Sequence, residues 1–112
     1  MSIKDPVLLS ACAYIKEHLH RKITMLDLRT HTSYSERSLQ LKFKRYLNQT
    51  PFEYMEEQRL LKARELIIQY KQTKKITDVA YEAGFRHLGR FSLNFKKRFG
   101  IHPSVLARSS ID

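Results

Sequence analysis

Apolar residues recur along this chain at the three- and four-residue intervals of an α-helix. The pattern is clearest over residues 86–99. On a helix Leu88, Phe91, Phe95 and Phe99 share one face, while Arg86, Arg90, Leu93 and Lys97 form a stripe on the opposite one. Gly100 is placed for a left-handed cap and Pro103 for a stop. Residues 35–47 carry the same plan, with Leu39, Phe43, Tyr46 and Leu47 pointing inward. Arg37, Ser38, Leu41, Lys44 and Arg45 point outward and Gln40 sits at the edge. The two stretches align, residues 38–45 on 90–97 and 48–51 on 100–103. Arg29, Ser33 and Tyr34 fall on Ala80, Gly84 and Phe85 once the second copy is given one extra turn residue, so the chain reads as two copies of one helical unit.

The remaining pattern places the elements around these copies. Asp5-Pro6 opens a helix over residues 7–20 with Leu8, Cys12, Ile15 and Leu19 on one face. Thr24 caps the next one, with Asp27 in the capping-box position, and Ser33 and Tyr34 end it before Ser35 starts another. Two helices joined by a short turn, the second basic on its outer face, describe a helix-turn-helix. Pro51 then opens the longest pattern, residues 52–70, with Phe52, Met55, Leu60, Ala63, Ile67 and Tyr70 available for burial. Such a helix spans roughly 30 Å at about 1.5 Å per residue, against about 34 Å between successive major-groove segments on one face of B-DNA. After a polar loop at residues 71–75, residues 76–83 repeat the first helix of the motif, with Thr77 as cap and Val79 and Ala80 inward. A short helix follows from Pro103 to Arg108. The expected fold is all-α with about seven helices. A first helix-turn-helix subdomain covers 1–50 (motif 24–47), a linker helix 51–70, and a second subdomain 71–112 (motif 76–99).

Charge narrows the partner. Twenty-one Lys and Arg against eleven Asp and Glu leave +10 on 112 residues, and no acid lies between Ala83 and Ile111. That excess points to a polyanion: nucleic acid first, with a membrane surface or an acidic protein as alternatives. A short basic helix held by aromatics is what a DNA major groove accepts. No apolar run is long enough to span a membrane, and Met1-Ser2-Ile3-Lys4 lacks a signal-peptide pattern, which favours the cytoplasm. Cys12, among Val7, Leu8, Ala11 and Ile15, reads as a buried thiol. His18 and His20 lie two apart, on different helical faces, and His31, His87 and His102 have no Cys or carboxylate cluster beside them, so no metal site is expected. No Gly-rich phosphate loop and no Ser/His/Asp order stands out. The expectation is a protein that is not an enzyme and holds no cofactor.

The pattern Ala80-x3-Gly84-Phe85-x5-Phe91-x3-Phe95-Lys96-Lys97-x-Phe99-Gly100-x2-Pro103, preceded by Thr50-Pro51-x7-Arg59-Leu60-x2-Ala63-Arg64, resembles the DNA-binding domain of the AraC/XylS transcription regulators. The resemblance covers residues 7–106, and the stretch at 84–91 is most similar to the XylS-like branch. It implies two helix-turn-helix units reading double-stranded promoter DNA, with recognition helices at 35–47 and 86–99. By position it implies base contacts from Arg37, Gln40 and Leu41 and from Gly89, Arg90 and Leu93. RNA polymerase is implied as a further partner, and an effector-binding segment outside this chain is an open possibility. Three positions depart from the family's pattern: Arg29 where a small residue is usual, Ser33 where the turn usually has Gly, and Leu93 where a polar or basic residue is common.

Within that frame Arg37 and Arg90 suit bidentate reading of guanine, with phosphate contact as the alternative. Leu41 and Leu93 either pack under the linker helix or touch thymine methyl groups. Ser35, Lys44, Arg86, Lys96, Lys97 and Arg98 are the expected phosphate contacts, Ser35 through the amino end of its helix. A basic helical module that binds RNA or an acidic protein without base readout stays open on residues alone.

Overall fold

The computed structural model describes residues 4–109, so Met1, Ser2 and Ile3 of the expected leaderless start, and the last three residues of the expected second subdomain, lie outside the described residues. The described residues form α1 (Pro6–Glu17), α2 (Met25–Thr32), α3 (Glu36–Leu47), α4 (Pro51–Tyr70), α5 (Ile76–Glu82), α6 (Leu88–Phe99) and α7 (Pro103–Arg108). A 3-10 turn, Lys71–Thr73, follows α4, and no strand occurs among the described residues. The chain divides into two compact units, one up to Gln58 and one from Arg59. The amino-terminal part of α4 belongs to the first unit and its carboxyl-terminal part to the second.

In the first unit local chemistry fixes each helix start. Asp5 accepts from the Val7 and Leu8 amides at 3.0 Å, and Pro6 occupies the first helical position of α1. The same carboxylate takes Lys42 Nζ at 2.6 Å, which ties α1 to α3. That ion pair, together with the amides, holds the Asp5 carboxyl below its usual range. Thr24 and Asp27 form a reciprocal capping box on α2. Thr50 and Glu53 do the same at the start of α4, at 2.8 and 3.1 Å. Leu8, Ala11, Ile15, Leu28, Leu39 and Phe43 are fully buried and form one core with Tyr54 and Met55. Each buried Leu, Ile or Phe contributes on the order of 1.5–3 kcal/mol. Cys12 is buried here as expected. Burial pushes its thiol pKa up and does the same to the Tyr54 hydroxyl beside it.

Three expectations for this unit are corrected. α1 stops at Glu17 rather than continuing to residue 20, and Leu19 reaches the core from the following turn. Phe52 is 54% exposed, while Tyr54 is buried. The inward face at the start of α4 runs through Pro51, Tyr54 and Met55, and at about 100° per residue position 52 is rotated away from it. Tyr46, on the flank of the α3 stripe, stays exposed with the Arg45 guanidinium 5.5 Å over its ring.

The second unit packs around Leu60, Ala63, Leu66, Ile67, Val79, Ala80, Ala83, Phe91, Phe95 and Ala107. Phe85, Phe91, Phe95 and Phe99 follow one another with ring centroids 4.7, 5.6 and 4.7 Å apart, tilted as aromatic quadrupoles prefer. Thr77 is not the cap expected of it. α5 begins at Ile76, half-buried against the core, with Lys75 as a cap that offers no side-chain bond, so Thr77 lies exposed one residue inside the helix. α6 begins at Leu88 with His87 as its extended cap residue. Arg86 therefore lies before the helix and not on its stripe, and Leu88, at the helix tip, is 42% exposed rather than packed.

Candidate nucleic-acid interface

Each unit sets its second motif helix against the first by a tight turn. After α5 the amide of Phe85 donates to Ala80 O at 2.9 Å and that of Gly84 to Tyr81 O at 3.0 Å, with Gly84 at φ 103°. This double closure needs a left-handed residue, which glycine adopts without steric cost. After α2 a serine occupies the matching position. Ser33 takes φ 63°, its amide donates to Arg29 O at 2.8 Å, and the Tyr34 amide turns to the Thr32 hydroxyl instead. Asn48 at φ 54° and Gly100 at φ 76° end α3 and α6 in the same left-handed way.

The inward positions of the two second helices are filled alike. Leu39 and Phe43 of α3, and Phe91 and Phe95 of α6, are all 0% exposed. Their outward positions are left to solvent. Arg37, Gln40, Leu41 and Lys44 of α3 converge with Thr50 on a hollow of about 490 Å³, Leu41 being 59% exposed. Gln40 Nε2 donates to Glu36 Oε1 at 3.4 Å across one turn. In α6, Gly89, Arg90, Lys96, Lys97 and Arg98 are exposed, and Leu93 is 59% exposed, the same as its counterpart Leu41. A Cβ built on Gly89 would meet nothing within 4 Å, so the packing of the protein does not call for glycine there. Both leucines thus keep more than half of their surface in solvent.

The charged residues differ in how they are held. Ser35 caps α3, its hydroxyl accepting from the Ser38 amide at 3.2 Å. Arg86 places its guanidinium 4.6 Å over the Tyr81 ring and donates to Phe85 O, which anchors it to the turn. Arg98 lies 4.9 Å over Phe99. Lys96, Lys97 and Arg98 fall in the last turn of α6, where the helix dipole favours cations. Two residues outside the expected set share the α3 face: Glu36, through its i,i+4 bond to Gln40, and Thr50, which lines the hollow. The four-residue spacing from Glu36 to Gln40 to Lys44 is the sequence signal that points to the first. No group of three or more potential metal ligands occurs among the described residues.

A helix-turn-helix domain family matches residues 28–109, which takes in the second motif whole and the first from Leu28 onward. The chain belongs to the AraC/XylS family of helix-turn-helix DNA-binding domains. It is 32% identical over 95 residues to the probable thc operon regulatory protein of Rhodococcus erythropolis, a match covering 84% of this chain and 29% of that one. Against the XylDLEGF operon transcriptional activator of Pseudomonas putida the identity is 34% over 96 residues, covering 85% and 30%. A probable AraC family transcriptional regulator from Rhodopseudomonas palustris, solved by crystallography, superposes with a TM-score of 0.84 at 26% identity, covering 93% and 96%. The chain spans about 30% of the length of these two curated relatives. As an AraC/XylS domain it is a sequence-specific DNA-binding module of a transcription regulator rather than an enzyme. That sets aside a generic basic module for RNA or an acidic protein.

Proposed function

We propose that this AraC/XylS domain reads a promoter by inserting α3 and α6 into successive major-groove segments of one duplex. Arg37, Gln40 and Leu41 meet base edges from the first helix, and Gly89, Arg90 and Leu93 from the second. Ser35, Lys44, Arg86, Lys96, Lys97 and Arg98 hold the phosphates. The observation that carries this reading is the matched pair of leucines, each 59% exposed within a polar face while the helix's inner side is fully buried. An apolar side chain kept in water at the same place twice has a use if it meets a thymine methyl group, which the major groove displays.

Three wider assignments belong to the same proposal. The whole regulator acts as an activator in contact with RNA polymerase, responds through an effector-binding segment, and works in the bacterial cytoplasm. No described helix is long and apolar enough to cross a membrane. The test is base-by-base substitution of a selected site, read with Leu93→Ala, Leu41→Ala and Arg90→Ala. Each leucine variant is expected to lose discrimination at a thymine. Arg90→Ala is expected to lose roughly 1–3 kcal/mol at one guanine and little elsewhere. Equal weakening on every sequence would assign these residues to the backbone and defeat the proposal.

A further inference from the structure

We propose that Glu36 is a specificity-determining residue of α3 that selects cytosine, an inference resting on the reading of α3 as a base-reading helix. Four observations lead to it. Glu36 is the first residue of α3, and the amino-terminal residues of a recognition helix are the ones that meet base edges. Its carboxylate is not used to cap the helix, because the Ser35 hydroxyl already takes the Ser38 amide. It lies instead along the outward face, accepting from Gln40 Nε2 at 3.4 Å and forming no ion pair among the described residues. It also runs against the charge of the molecule. A carboxylate on the DNA-facing side of a +10 chain repels phosphates whatever the sequence, and the counterpart helix α6 starts without any acid.

The chemistry of the groove says what such a group can read. A carboxylate only accepts hydrogen bonds. In the major groove guanine presents two acceptors and thymine one acceptor beside its methyl group, so both oppose it. Adenine presents a donor next to an acceptor and matches by half. Cytosine presents its N4 amino group alone, and this is the edge an acceptor-only side chain fits. Glu36 therefore lowers affinity for all DNA and returns it where a cytosine lies opposite. The hydrogen bond to Gln40 keeps both side chains extended along the same face, so the neighbouring base is read by the amide and the cytosine by the acid.

Site selection from random duplexes with the full chain, then titration of all four base pairs at each selected position, tests this. The wild type should prefer cytosine at one position in the half of the site bound by the first unit. Glu36→Ala should lose roughly tenfold or more of that preference and bind random duplex more tightly. Glu36→Asp, which keeps the charge at the helix start but shortens the reach by one methylene, should keep the wild-type affinity for random duplex and lose part of the cytosine preference. An unchanged position-by-position profile in Glu36→Ala, with all sequences shifted alike, would overturn the inference and leave the promoter-reading function standing. So would a preference lost at a position that is not cytosine. Failure of the wild type to select any site would sink both.

Discussion

The two units repeat one plan and carry very different charge. Up to Gln58 there are nine Lys and Arg against seven Asp and Glu, a balance of +2; from Arg59 there are twelve against four, a balance of +8. Their helix faces follow suit. α3 mixes Arg37, Gln40 and Lys44 with the acid Glu36, whereas α6 carries Arg90, Lys96, Lys97 and Arg98 with no acid at all. Phosphate attraction is indifferent to sequence, while mixed donors and acceptors discriminate between base edges. On the proposed reading, the pairing of a strongly cationic unit with a nearly neutral one divides the work: general hold on the duplex would rest with the second unit and selection more heavily with the first.

The cores test the likeness of the two units most severely. Phe43 and Phe95 hold matching buried positions, so Phe43→Ala and Phe95→Ala should each cost about 3–5 kcal/mol in thermal or denaturant unfolding. A much smaller loss in one unit would show that the copies are not equivalent inside. The division of charge is next. Lys44 and Lys96 occupy matching outward places. If α6 carries the phosphate contacts, Lys96→Ala should flatten the dependence of log affinity on log salt by about 1 unit, with a smaller change for Lys44→Ala. Equal slopes would erase the proposed division. The smallest effect concerns the turns. Ser33 holds the left-handed backbone that Gly84 adopts in the second copy, so Ser33→Gly should raise stability by roughly 0.5–1 kcal/mol in unfolding measurements. No gain would mean that the hydroxyl or the Thr32 bond compensates for the strain.

Much of this architecture is legible in the residues because helix signals are local. The Asp5, Thr24 and Ser35 caps, the Thr24–Asp27 capping box and the left-handed Gly100 all follow from short-range hydrogen bonding, and the structure places them as the pattern requires. Where the pattern and the structure differ, the cause is tertiary. Phe52 looks like core by type, but burial depends on which way the turn after Pro51 faces, and Tyr54 takes that place. In projection Leu88 fits the inner face of α6 and Arg86 its outer stripe; the turn closed by Gly84 and Phe85 delays the helix until Leu88, which no periodicity count reveals. Thr77 is a good capping residue overruled by Ile76, which packs onto the core one position earlier. The candidate interface was more legible than its details, since exposed cations and leucines show in the helical pattern. Glu36 was hidden because an acid in a first turn has an ordinary use beside the helix dipole, and only the bond to Gln40 shows where its carboxylate lies.

The bare backbone at Gly89 has an evolutionary corollary. Residue 89 is exposed in the first turn of α6, its surroundings are empty where a side chain would begin, and glycine is among the poorest residues for a helix. A lineage that replaces it gains helical stability and a new group at the tip of the rod in one step, without repacking anything. If residue 89 faces base edges as proposed, the vacant spot is a route by which descendants of this sequence could come to obey a different operator.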